Sequence, residues 1–257
     1  MKFVKISPPG TFCTNEALRD LIRRARPSNF VEIGCGDGER SKLLCDMGMT
    51  GVGIDFSPLA ITTSAKMLAP EVAGGRYSLI GDDFMNLKQA IAPSDMALSC
   101  MVMEHVEDDV GFVRRLCSLV KPGGVVAVFV PGREDHWSFE DTTVGHLRRY
   151  ECENLKQVLE AGGVRDVEIW SVAVPTVNLL FRLSDWLVKR SAESAKVTQS
   201  QREKTETSGL RDIPWKTVFP SWVGLLLNRV TLYPLFVIQR LFYPTRFGLI
   251  LLGFGRV

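Results

Sequence analysis

The residues of this 257-residue chain best suited to chemistry stand where short apolar runs end. In "NFVEIGCGDGERSKLLCDMG", residues 29–48, an apolar run breaks into Gly34, Gly36 and Gly38 and then takes on a helical pattern. A strand that ends in Gly-x-Gly and opens a helix presents backbone N–H groups beside the positive end of that helix, a place for an anion or a nucleotide-like ligand. Dinucleotide sites carry G-x-G-x-x-G. Here Glu39 occupies the third-glycine position, and the acidic Glu32 precedes the turn.

Two further runs end in carboxylates. "GVGIDFS" ends in Asp55, placed to accept from both hydroxyls of a ribose, with Phe56 next to it to lie against a purine. "LIGDDF" ends in Asp82 and Asp83, acceptors for an adenine amino group. Each follows the C-terminal end of a strand, where open sheets bind ligands. The set describes an adenosine held without a cationic cluster for phosphates. So many carboxylates serve a diphosphate poorly and a sulfonium carrying an amino acid well.

A sheet must bring these residues together, and the pattern supplies one. The strand candidates "FVEIG", "GVGID", "RYSLIG", "DMALSCM" and "VVAVFV" alternate with helical patterns at 38–47, 58–68, 84–91 and 106–119. Unbroken apolar strands alternating with helices imply a parallel sheet covered on both faces, the doubly wound α/β class. A short helix over "TNEALRDLIRRARPS", capped at Thr14 or Asn15, precedes the sheet, and "ECENLKQVLEAGG", "VRDVEIWSVAV" and "RFGLILLGFG" close it. Residues 1–174 and 246–257 read as one domain, with 175–245 a helical insertion before the last strand. The first part of that insertion, 189–212, is polar and reads as a mobile loop or solvated helix. The second is apolar but broken by Asn228, Arg229, Pro234, Gln239 and Arg240, which does not suit a membrane-spanning helix.

Composition narrows the class. With 46% hydrophobic and 23% charged residues the chain can bury a full core, and a formal charge of +2 does not favour nucleic acid as a partner. Six cysteines without a C-x-x-C pair point to a reducing, cytoplasmic setting, and the first twenty residues lack the apolar stretch of a secretion signal.

The ordered set "VEIGCGDGE", "GVGIDFS", "GDDF", "MVMEHVEDD", "KPGGVVAVFVPG" and "GHLRRYECENLKQVLEAGG" resembles the class I S-adenosylmethionine-dependent methyltransferases, in the group with the type 11 and ubiquinone-biosynthesis O-methyltransferases. The resemblance covers roughly residues 29–174. It implies a mostly parallel seven-stranded sheet with an antiparallel last strand beside the fifth, and S-adenosylmethionine as cofactor. It places Gly34, Cys35 and Gly36 under the methionine portion with Glu32 near its ammonium, Asp55 and Phe56 at the nucleoside, and Asp82 and Asp83 at the adenine. Met101, after the fourth strand, completes the expected cofactor-binding set. Some related O-methyltransferases carry metal ligands in an E-x-x-E-H pattern there; Met101 stands at the first carboxylate position, which argues against a metal.

For an oxygen acceptor such an enzyme needs alignment, exclusion of water and a base. The three histidines, His105, His136 and His146, all fall in loops on the ligand side. His146, with Asp141 to fix its tautomer, is the first choice as base, and His105 is a base or a cap. His136 and Trp137 are expected on the acceptor wall, Arg148 and Arg149 as anchors for an acidic acceptor or solvated charges, and Tyr150 packed under the loop. The insertion reads as a lid over a small-molecule or lipid-linked acceptor, a homodimer surface and a peripheral membrane contact being its rival roles. Against the methyltransferase reading stand a cofactor-binding assembly subunit without turnover and a nicotinamide-dependent oxidoreductase.

Overall fold

A computed structural model describes residues 2–192, 194, 198–208 and 212–257. The chain runs β1 (Phe3–Lys5), α1 (Pro9–Ala25), β2 (Asn29–Ile33), α2 (Glu39–Asp46), β3 (Thr50–Asp55), α3 (Pro58–Met67), α4 (Ala69–Ala73) and β4 (Tyr77–Gly81). It continues through β5 (Ser94–Cys100), α5 (Asp109–Cys117), β6 (Val120–Pro131), α6 (Phe139–Val144), α7 (Cys152–Ala161) and β7 (Arg165–Val172). The last elements are α8 (Thr176–Lys189), α9 (Gln201–Ser208), β8 (Val218–Pro220), α10 (Tyr233–Phe242) and β9 (Ile250–Arg256).

Seven strands form one sheet in the order β4-β3-β2-β5-β6-β9-β7. The first five of these are parallel, and β9 runs antiparallel between β6 and β7. Strand alternation divides the core in two. Phe30, Met96, Leu98, Ala127 and Phe129 point to the face covered by α1, α2 and α10, while Val31, Ala97, Val126, Val128 and Val130 point to the face covered by α5 and α7. Because both faces are covered, the central strands are apolar at nearly every position. The doubly wound sheet with an antiparallel last strand is as the sequence leads one to expect, and β1 pairs separately with β8.

Two local expectations are corrected. α1 begins at Pro9 after an extended Pro8, not at Thr14 or Asn15. Proline suits the first helical turn because the N–H it lacks would have no partner there. Residues 84–91 form a turn, not a helix: Asp83 accepts from the Met85 N–H at 3.0 Å and the Asn86 side chain at 2.8 Å, holding a turn that buries Phe84 and Leu87.

The insertion adheres to the sheet domain. α8 packs on α1 and α6, α10 on α1 and β7, and α9 on α6. Within the polar stretch, 201–208 is helical, and the expectation of a mobile loop at 193, 195–197 and 209–211 lies outside the described residues.

Candidate active site

β2 delivers the glycine turn to the C-terminal edge of the sheet. Gly34 and Gly36 have φ of 73° and 55°, and a side chain at Gly34 would collide with Val102. A Cβ on Gly36 would meet nothing within 4 Å, because this position faces open space. That space is a cavity of about 900 Å³, toward the upper end of the ~300–1,000 Å³ usual for small-molecule sites. Gly34, Cys35, Gly36, Asp55, Phe56, Asp82, Asp83, Met101, His105 and His146 all line it. Cys35 contributes backbone, its buried thiol being pushed well above the ordinary range.

The carboxylates on the wall are not equivalent. Asp55 accepts from the Gly36 and Ser57 N–H groups, both at 2.9 Å, so it ties the glycine turn to the start of α3. Each oxygen retains a lone pair for a ligand hydroxyl. Burial raises its pKa, and those backbone bonds oppose the rise. Asp83 uses both oxygens to close its turn, whereas Asp82 uses one, on the Asp83 N–H at 2.8 Å. Asp82 is therefore the better acceptor for a ligand amino group. Glu32 lies off the wall: it is buried and takes the Ser41 hydroxyl at 2.5 Å, and burial pushes its pKa up to about 7. Arg40 in the first turn of α2, absent from the sequence reading, does line the cavity, and it makes no ion pair among the described residues.

Met101 has φ of 55°, a strained value for a side chain of this kind, and its N–H is held by the Phe129 carbonyl at 2.9 Å. Such strain concentrates at functional sites. No sequence signal marks it.

Across the cavity lies a buried charge cluster. Ser138 and Asp141 form a reciprocal cap at the start of α6, with the Ser138 hydroxyl donating to Asp141 at 2.6 Å. His146 Nδ1 lies 2.6 Å from the other Asp141 oxygen, and Arg149 donates to both oxygens at 3.0 and 2.9 Å. Burial alone would raise the Asp141 pKa; the bonds from His146 and Arg149 outweigh it and hold the carboxyl well below the aspartate range. His146 Nε2 faces Glu104 at 3.6 Å. Glu104 is fully buried, both its oxygens lack a hydrogen-bond partner, and burial pushes its pKa to about 7 against the pull of His146. The His105 ring stands edge-on to His146 with centroids 4.9 Å apart, and its Nδ1 is 2.9 Å from the Gly145 carbonyl.

The other candidates are placed elsewhere. His136 pairs with Asp135 at 2.8 Å, and Trp137 donates to Thr142 at 3.2 Å; neither lines the cavity, because each closes its own loop. Arg148 bonds Asp109 and the Glu107 carbonyl, so it is not an anchor for an acceptor. Arg149 lines the cavity but is committed to Asp141 and to the Gly132 carbonyl. Tyr150 is buried beneath them with its hydroxyl on Asp109 at 3.1 Å. The insertion supplies much of the remaining wall, including Leu180, Phe181 and Leu183 from α8 and Thr205 and Glu206 from α9.

The family model for a methyltransferase domain matches residues 13–169. A protein of Mycolicibacterium smegmatis named "Probable S-adenosylmethionine-dependent methyltransferase" is 28% identical over 148 residues, 56% of this chain and 54% of that protein. The ubiquinone biosynthesis O-methyltransferase of Methylobacterium nodulans is 35% identical over 97 residues, 38% of each chain. The chain thus spans about half or less of these curated relatives. In fold, it aligns with Haemonchus contortus phosphoethanolamine N-methyltransferase 2 in complex with S-adenosyl-L-methionine at a TM-score of 0.59 and 17% identity, covering 98% of this chain and 53% of that one. By the match over more than half its length, the chain belongs to the methyltransferase-domain family, within the class I S-adenosylmethionine-dependent methyltransferases.

Proposed function

We propose that this protein transfers a methyl group from S-adenosylmethionine to an oxygen of a small or lipid-linked acceptor with a sizeable apolar part, using His146 as base. The observation that carries the reading is that one cavity has the glycine turn, Asp55 and Asp82 on one side and the buried His146–Asp141 pair on the other. The donor set fits the cofactor: an open cradle at Gly36, acceptors for ribose and amino groups, and at Arg40 a cation for a carboxylate. When bound, S-adenosylmethionine supplies a methyl group already activated by its sulfonium. The protein then has to align, dry and deprotonate the acceptor. Apolar Leu180, Phe181 and Leu183 favour an acceptor that is apolar beyond its reacting hydroxyl, in keeping with the name of the Methylobacterium relative. The insertion acts as a lid, with α9 resting on α6 and the Thr205 hydroxyl 3.3 Å from His105 Nδ1. Six free cysteines support a reducing, cytoplasmic setting.

Asp141, ionised, holds the proton of His146 on Nδ1 and leaves Nε2 to accept from the acceptor hydroxyl. Nε2 also faces the Glu104 carboxyl at 3.6 Å, too far for a hydrogen bond but close enough for the charge of Glu104 to act on it. Below about pH 7 Glu104 is protonated and neutral; as pH rises through that value it ionises, and its charge then stabilises the imidazolium that forms when Nε2 takes the acceptor proton. Activity should therefore rise with pH with an apparent pKa near 7, and Glu104→Gln should displace or remove that limb. A flat profile between pH 5.5 and 8.5 would contradict this role of Glu104.

Asp55→Ala should weaken S-adenosylhomocysteine binding by about 1.5–3 kcal/mol, the scale of charge-assisted hydrogen bonds. Unchanged affinity in calorimetry would remove Asp55 from the ribose. Chelation is expected to leave activity intact. The donor atoms of Glu104, His105 and His146 do lie within 4.8 Å of one another, yet Met101 supplies no hard oxygen beside them and the proposed base needs His146 Nε2 for the acceptor. Loss of activity on EDTA treatment with recovery on adding magnesium or zinc would assign the cluster to a cation instead. The experiment that tests the proposal as a whole is transfer of labelled methyl to phenolic acceptors of increasing chain length, with preference expected for the longer ones.

A further inference from the structure

α8 is apolar on two sides. Leu180, Phe181, Leu183 and Leu187 face the cavity, while Leu179, Leu183 and Trp186 form a second stripe open to solvent, 78%, 52% and 48% exposed. Leu183 belongs to both, so the exposed stripe borders the cavity opening. The spacing 179, 183, 186 is one helical face. Phe247 extends it: the Asn178 side chain donates to the Phe247 carbonyl at 2.8 Å, and the Phe247 ring is 57% exposed.

The charges around this stripe are mainly cationic. Arg182 and Arg190 are exposed beside it, and Arg246 precedes Phe247 with its side chain 78% exposed and 3.9 Å from Glu153. The sole acid of α8, Asp185, pairs with Lys189 at 2.7 Å and reaches α6, where it accepts from the Phe139 and Glu140 N–H groups at 2.8 and 3.3 Å. The Arg190 guanidinium lies 4.7 Å from the Trp186 ring, so the aromatic ring and a cation form one unit at the end of the stripe. Large apolar side chains with a tryptophan, rimmed by arginine, suit a helix that lies in a lipid interface. No helix among the described residues is long and apolar enough to cross a membrane.

We propose that the exposed face of α8, with Arg246 and Phe247, docks the protein on an anionic lipid bilayer and sets the cavity opening against it, so that an apolar acceptor enters from the bilayer. The entry route rests on the acceptor reading above; the docking surface does not. The choice of lipid over a second copy rests on charge: two identical faces rich in cations repel, whereas an anionic bilayer attracts them.

The test is co-sedimentation of the full chain with vesicles of phosphatidylcholine alone and of phosphatidylcholine mixed with phosphatidylglycerol, at low and high salt. Binding to the mixed vesicles should be about tenfold or more tighter and should weaken with salt. Leu179→Glu with Trp186→Glu should abolish it at least tenfold while leaving S-adenosylhomocysteine affinity unchanged, since neither residue lines the cavity. Absence of binding to either vesicle, or binding by the double variant equal to wild type, overturns the proposal. So does a wild-type dimer that these substitutions split without any vesicle binding, which would give the face to a second copy. Failure of the acceptor reading is separable: a protein that docks on vesicles yet transfers no methyl to an apolar acceptor keeps this surface and loses that reading.

Discussion

His146→Ala is expected to lower kcat by about 10²–10⁴-fold, the usual contribution of a positioned general base, and to leave S-adenosylhomocysteine affinity unchanged. The separation follows from geometry. His146 sits across the cavity from Gly36, Asp55 and Asp82 and touches Asp141 and Glu104, not the nucleoside side. Asp141→Asn should also slow the reaction, because an amide in place of the carboxylate no longer fixes the proton on Nδ1 and no longer supports the charge that His146 gains. Single-turnover rates with saturating cofactor read this directly. A His146→Ala protein that retains its rate would move the base elsewhere, with His105 the next group on the wall.

Arg149→Met should cost about 3–5 kcal/mol of stability and roughly 10 °C in Tm, although Arg149 itself is not proposed to touch either substrate. Arg149 and Asp141 are 7% and 1% exposed, and removing the guanidinium leaves a buried carboxylate whose remaining partners are Ser138 and His146. The sign with pH follows from the lowered Asp141 pKa: the stabilisation by Arg149 is present above the ordinary aspartate value of about 3.9 and fades as pH falls below it. The gap between wild type and variant should thus be wide at pH 7 and narrow in acid. Thermal melts that differ by less than about 2 °C at pH 7 would show the pair to be dispensable.

The sheet and the meeting of Gly34, Asp55 and Asp82 on one cavity were legible because they depend on local pattern. Apolar runs ending in Gly34, Asp55 and Asp82 specify buried strands whose C-terminal ends must meet, and the parallel order then places them at one edge. What sequence could not supply was the apportioning of hydrogen bonds. Asp82 and Asp83 look equivalent as letters, and only the turn shows that Asp83 is already spent. Glu32 was expected at the ligand because it precedes the turn, but strand alternation aims it at Ser41 beneath the wall. Arg40 is the second residue of α2 and carries no motif, yet the first turn of that helix sets it on the cavity wall. The His146–Asp141 pair was within reach because the two are five positions apart across a helix end. The facing Glu104 was not, since its partner is 42 positions away along the chain and its lack of hydrogen bonds is a fact of packing. The insertion's aromatic and aliphatic residues gave no face to each helix until α8 was seen to be apolar toward both the cavity and the solvent.

The central claim is that this cavity binds S-adenosylmethionine through the glycine turn and the acids at the ends of β3 and β4. Calorimetric titration of the full chain with S-adenosylhomocysteine, and separately with NAD, tests it most directly. One site with a dissociation constant on the order of micromolar for S-adenosylhomocysteine, about 8 kcal/mol of binding free energy, is expected, with no heat from NAD. Saturable binding of NAD, with none of S-adenosylhomocysteine, would contradict the account.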